Sequence, residues 1–171
     1  MTPFGMFHTV LSLVALGAGL VALVRDKKIS LENRVGKLYV SMTVLTAATG
    51  LGIFHHGGFG KPHALAILTL AVIALAVAAK RTSIFGRASR EVETVAYSAT
   101  FLFHLIPGVT ETTTRLPVGA PLVASPEAPE LQAVTGALFL LFLVGAALQV
   151  RALRGERASM GAARRLYARI G

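Results

Sequence analysis

Residues 6–24 read MFHTVLSLVALGAGLVALV, without one charged side chain. A helix crossing the roughly 30 Å hydrocarbon core of a bilayer needs about 20 apolar residues, within a range of about 17–25. This stretch meets that length. It is also apolar all round, which a surface helix of a water-soluble domain is not. Four further apolar stretches follow, at about 38–54, 63–79, 92–106 and 131–150. Those at 38–54 and 131–150 are long enough directly. Those at 63–79 and 92–106 are slightly short and require flanking residues or local thinning of the bilayer. Lipid offers backbone groups no hydrogen-bonding partner, so each stretch is expected to be helical.

The composition agrees. Of 171 residues, 54% are hydrophobic and 15% charged, against about 25% charged in ordinary soluble domains. Mean hydropathy is +0.66. The length suits a single transmembrane helical domain over residues 1–171. Cysteine is absent, which excludes disulfides, thiolate metal sites, iron–sulfur clusters and Cys-linked haem. A net charge of +9 raises the question of nucleic acid. The basic residues lie between long apolar runs, so no nucleic-acid partner is expected and the lipid bilayer is.

Lys and Arg accumulate in cytoplasmic loops. Arg25, Lys27, Lys28, Arg34 and Lys37 lie between the first and second stretches, and only Lys61 between the second and third. Lys80, Arg81, Arg87 and Arg90 follow the third, and only Arg115 follows the fourth. Arg151, Arg154, Arg157, Arg164, Arg165 and Arg169 close the chain. Five spans with the N-terminus outside and the C-terminus cytoplasmic satisfy this alternation, whereas four or six break it. No Lys or Arg precedes Arg25, so the first stretch reads as an uncleaved span and not as a signal peptide. The expected fold class is therefore all-α: an integral membrane bundle of five transmembrane helices in a bacterial inner membrane.

The connection at 55–62 is a tight turn with Gly57, Gly58 and Gly60, making the second and third helices antiparallel neighbours. The 108–130 loop carries Pro117, Pro121, Pro126 and Pro129 and reads as extended. Ser125-Pro126-Glu127 reads as the N-cap and acidic first turn of the fifth helix. The tail with Arg164, Arg165, Arg169, Leu166 and Ile170 reads either as a short basic helix on the anionic leaflet or as a frayed cationic end. Small residues four apart (Ala15 and Gly19, Ala48 and Gly52, Ala133 and Ala137) and a stripe of Thr43, Thr46 and Thr49 indicate helix packing.

The chemistry-bearing feature is a histidine asymmetry. His8, His55, His56, His63 and His104 all fall on the outer side of this topology. Imidazole is the commonest metal ligand. Three or four histidines with a carboxylate suit zinc, copper or iron, and two from facing helices can clamp haem b. Glu111 is the candidate carboxylate, seven residues after His104, provided Pro107 and Gly108 do not break the helical register. A Glu111–Arg115 pair at i, i+4 would instead make Glu111 structural. Thr112, Thr113 and Thr114 either bond to this site or cap and turn. His63 and His104 are the first axial pair for a haem, with His8 beside them. His55, His56, His63, His104 and Glu111 are the set for a metal ion. A haem would imply electron transfer with a quinol or periplasmic redox partner. The rival reading keeps the histidines as interfacial residues of a non-enzymatic scaffold, assembly subunit or permeation protein. A homo-oligomer fits either reading.

Other chemistry is thin. No phosphate-binding loop or nucleophile elbow is present. The only aspartate, Asp26, sits among basic residues. No acidic residue lies mid-span, which disfavours an ion-coupled transporter.

One stretch carries a family likeness. Asn33-Arg34-Val35-Gly36-Lys37-Leu38-Tyr39-Val40, with the two short helices after it, resembles the uncharacterised bacterial multi-pass membrane proteins grouped as domain of unknown function 2306. Those carry a His-Arg-x-x-Gly-Arg-x-Tyr-like element before a span. Asn33 stands here in place of the His and Lys37 in place of the second Arg. The likeness covers about the first 105 residues and implies the multi-pass topology, with no settled activity to carry over.

Overall fold

The computed structural model describes residues 2–54, 58–82 and 84–170. These form five α-helices and one short 3-10 turn, with no strand among the described residues. The helices are α1 (Pro3–Asp26), α2 (Arg34–Gly50), α3 (Lys61–Arg81), α4 (Ser89–Arg115) and α5 (Pro129–Ile170). Four of them, α1, α3, α4 and α5, are long and apolar enough to cross a membrane. At 17 residues, α2 is about 25 Å long, as long as the expected 38–54 stretch but starting and ending four residues earlier.

Two helices start at a side-chain cap. Thr2 caps α1, its Oγ1 accepting from the Gly5 N–H at 3.1 Å, with Pro3 opening the first turn. Asn33 caps α2, its Oδ1 accepting from the Gly36 N–H at 2.8 Å. Such caps satisfy N–H groups that no intrahelical carbonyl can reach. The helix α2 therefore begins at Arg34, before the apolar run. It ends at Gly50, where the Leu51, Gly52 and Ile53 N–H groups bond back into the last turn. The apolar residues up to Phe54 lie beyond it.

Three further boundaries differ from the sequence reading. The α4 helix runs through Pro107 and Gly108 to Arg115, so His104 and Glu111 share one unbroken helix. The threonines after Pro107 bond to carbonyls of their own helix, Thr110 to Ile106, Thr112 to Gly108, Thr113 to Val109 and Thr114 to Thr110. The first-turn proline of α5 is Pro129, followed by Glu130, and Ser125-Pro126-Glu127 forms a turn before it. Finally, α5 does not stop at Val150. Its 42 residues form one helix, because the Ala- and Arg-rich sequence after 150 favours helix as the Leu-rich sequence before it does.

The first four helices close into a ring: α1 against α2, α2 against α3, α3 against α4, and α4 back to α1. The fifth lies outside, along α4. The ring closes around small side chains. Ala15, Ala18, Ala22, Ala76 and Ala96 are buried about Tyr39 and Tyr97, both fully enclosed. Of the three small-residue pairs, Ala15 and Gly19 are buried, whereas Ala48, Ala133 and Ala137 are exposed.

Neighbouring helices are antiparallel, so charge gathers at one end. There Lys80 bridges Glu32 (3.1 Å) and Glu93 (3.5 Å), and Glu91 holds Arg157 (3.1 Å) and Arg154 (3.9 Å). The Lys80 ammonium, donating to Glu32, holds that carboxyl below the usual carboxylate range. Asp26 is held low in the same way, chiefly by Arg25. The opposite end carries His8, His63 and His104.

Candidate functional site

The stripe of threonines on α2 is the surface on which two of the histidines dock. Thr43 Oγ1 donates to the Tyr39 carbonyl at 2.8 Å. A hydroxyl has one hydrogen, so at the 3.1 Å contact with His104 Nε2 the ring is the donor. Thr49 behaves alike. Its Oγ1 donates to the Leu45 carbonyl at 2.8 Å, so His8 Nδ1–H donates to Thr49 at 2.9 Å. These bonds fix which nitrogen donates, and in the neutral form of each ring they set the tautomer. His104 carries its proton on Nε2 and keeps a lone pair on Nδ1. His8 carries its proton on Nδ1 and keeps a lone pair on Nε2.

The chain of contacts continues inward. Thr100 Oγ1 donates to the Tyr97 carbonyl at 2.7 Å, so the Tyr39 hydroxyl donates to Thr100 at 2.7 Å. The edge of the His104 ring meets Tyr39, with centroids 6.2 Å apart. Ser98 donates to Gln149 Oε1 at 2.9 Å, and Gln149 Nε2 donates to the Lys27 carbonyl at 2.8 Å, tying α5 to α4 and to the end of α1. Every one of the site's bonds except the three local threonine bonds, Thr43 to Tyr39, Thr49 to Leu45 and Thr100 to Tyr97, joins different elements. Sequence reasoning marked the threonines but not Tyr39, Thr100 or Gln149. The available signal was the i, i+4 placement of Tyr39 before Thr43 on a helix, which puts them on one face.

His63 stands apart. Its ring is buried and lies between Phe54 and Phe59, with centroids at 4.7 and 5.4 Å and near-parallel planes. Nδ1 accepts from the Gly60 N–H at 3.1 Å, capping α3. A backbone N–H only donates, so the ring proton of His63 is on Nε2. In this geometry Nε2 has no lone pair for a metal or haem iron, and Nδ1 is occupied. Among the described residues Nε2 has no hydrogen-bond partner.

Glu111 forms the i, i+4 ion pair with Arg115, and both side chains are more than half exposed. It still lies within electrostatic reach of His8, and His8 within reach of His104. His55 and His56 lie outside the described residues. Among the described residues, no three His, Asp or Glu side chains come together as a metal-binding group. Thus His8, His104 and Glu111 share one region, His63 is held separately as a helix cap, and the four do not form one coordination sphere.

No family model, no curated protein and no solved structure matches the chain.

Proposed function

We propose that this chain is a five-span bacterial inner-membrane protein, N-terminus outside and C-terminus cytoplasmic, that works as a non-enzymatic scaffold or assembly subunit. In this reading α2, with the residues flanking it, is the fifth span. The observation that carries it is that His8, His63 and His104 each hold a protein partner that fixes the ring, and two of those bonds join helices. Such bonds act as fasteners between helices in lipid, each contributing about 0.6 kcal/mol on average and at most about 1.7.

The topology is directly testable, since the chain has no cysteine. Single cysteines at Lys28 and at Val118, both away from the helices, are to be labelled in intact cells with a membrane-impermeant maleimide. Val118→Cys is expected to react from outside and Lys28→Cys only after the membrane is opened. The reverse pattern, or equal reaction, overturns the orientation.

One observation favours a second reading. The lone pairs left on His8 Nε2 and His104 Nδ1, with Glu111 near, support a transition-metal or haem b site and electron transfer with a quinol or periplasmic partner. His104→Gln separates the two. Glutamine keeps an amide donor for Thr43 but has no imidazole lone pair. The scaffold reading expects protein purified from cells supplied with haem precursor, zinc, copper and iron to be colourless and metal-poor, with His104→Gln destabilised by less than about 1 kcal/mol. A Soret band or stoichiometric metal in the parent protein, lost in His104→Gln, would replace it with the cofactor reading.

A further inference from the structure

At the charged end, α5 continues past its apolar stretch and presents Arg154, Arg157, Ala158, Gly161 and Arg165 on one face, spaced three, four and seven apart as helix geometry requires. Arg87, from the connection between α3 and α4, faces them across a cavity of about 330 Å³. Sites for small ligands begin at about this size, roughly 300–1,000 Å³. Four guanidinium groups line the cavity and no carboxylate does. Glu91 sits behind them, almost fully buried, and holds Arg157 at 3.1 Å and Arg154 at 3.9 Å. It orients two of the arginines and balances one charge. Each guanidinium has five N–H donors, so donors remain for an occupant. Ala158 and Gly161 leave the floor open.

We infer that this cavity binds the phosphate of an anionic phospholipid headgroup. Arginine forks match phosphate oxygens in paired hydrogen bonds, and four arginines against the single Glu91 carboxylate leave a net positive charge that favours an anion. Phosphate could also come from solution. Placement favours the lipid. Arg154 follows Val150, the last residue of the apolar stretch, by four positions, or about 6 Å along the helix, which puts the near end of the cavity in the headgroup zone, while Arg165, fifteen positions on, sits about 22 Å along. The headgroup zone is about 5–8 Å thick on each side of the hydrocarbon. Exposed apolar side chains lie at the same end: Ile84 before Arg87 and Met160 on α5. These suit acyl chains and not a soluble phosphate ester. The assignment rests on the membrane reading proposed above, which flotation of the full chain with phosphatidylcholine vesicles tests by itself.

The test titrates short-chain phosphatidylglycerol, phosphatidylcholine and inorganic phosphate separately into the detergent-solubilised full chain, with bound species counted by native mass spectrometry. Phosphatidylglycerol is expected to bind with preference over phosphatidylcholine. Arg87→Gln and Arg165→Gln, neither paired to Glu91, should each weaken that binding about fivefold and together about 25-fold. Ala158→Glu, which places a carboxylate in the cavity and keeps all four arginines, should abolish the preference. The pair Arg151→Gln and Arg164→Gln removes equal charge from outside the cavity and should leave binding within about twofold. Equal losses in both pairs, or no preference in the parent chain, overturn the site. Inorganic phosphate binding as tightly as phosphatidylglycerol, with the same arginine dependence, overturns the lipid as its source.

Discussion

Gly36→Ala is expected to destabilise the protein by about 3 kcal/mol or more and to loosen the segment between α1 and α2. A Cβ at position 36 would lie 1.9 Å from the Ser30 carbonyl oxygen, 2.7 Å from its carbon and 2.9 Å from its nitrogen. These are backbone atoms, so no rotamer change relieves the clash. Nor is the segment free to retreat. Ile29 is buried in the core cluster, Asn33 Nδ2 donates to Asp26 at 3.0 Å, and Glu32 is bound to Lys80. Withdrawing Ser30 would drag Ile29 outward, and exposing such a side chain costs about 1.5–3 kcal/mol. Retaining Ile29 would force α2 away from its cap, and losing an N-cap costs about 1 kcal/mol. Thermal unfolding in detergent, with proteolysis of residues 27–33 as a local readout, measures both. Gly17→Ala is the control, because nothing lies within 4 Å of a Cβ there. It is expected to be neutral or slightly stabilising, since alanine favours helix over glycine by about 0.5–1 kcal/mol. Equal behaviour of the two variants would show that the contact with Ser30 does not constrain the fold.

This contact also gives a physical reason for the Asn33–Val40 element. Asn33 caps, Gly36 admits the preceding loop, and Tyr39 enters the core. The motif works as a helix start under a crossing loop.

How much of this was legible follows from what each signal measures. Hydropathy reports solvent preference, so it located the stretches at 6–24, 63–79 and 131–150 well. It does not report backbone bonding. The run from Leu51 to Phe54 remains apolar after α2 has ended, and the run from Arg151 onward is polar while α5 continues. Pro107 reads as a break, yet it removes a single N–H, and the rest of α4 holds through its other bonds. For the site, depth was legible and direction was not. All three described histidines lie at one end of the bundle. Which atom each ring presents depends on Thr43, Thr49 and the Gly60 N–H, partners 61, 41 and three residues away. Helix rotation decides those pairings, and packing sets rotation. The Glu111–Arg115 pair was legible because it is local.

Gly19→Ala tests the packing that sets this rotation, and it is expected to cost about 1–3 kcal/mol. A Cβ at position 19 would lie 2.6 Å from Phe101 Cδ2 and 2.8 Å from Tyr39 Cδ2 and Cε2. The two aromatic rings differ in what they can yield. Tyr39 is fully buried and its hydroxyl donates to Thr100 at 2.7 Å, so turning the ring aside breaks that bond and disturbs its contact with His104. Phe101 is only partly buried and has room on its outer side. The strain should therefore pass mainly to Phe101. Phe101→Leu, harmful alone, should recover part of the loss in the Gly19→Ala background, with a coupling of at least about 0.5 kcal/mol in a double-mutant cycle. Strictly additive losses would mean that α1 shifts as a body and that Gly19 does not set the spacing between α1 and α2. Ala133→Leu supplies the contrast. The same small-residue spacing occurs there on an exposed face of α5, where a larger side chain meets no neighbour within the chain, so stability should stay within about 0.5 kcal/mol. The same spacing therefore constrains the fold on α1, where the fixed Tyr39 ring and the more yielding Phe101 ring oppose it, and leaves stability unchanged on α5, where no ring does.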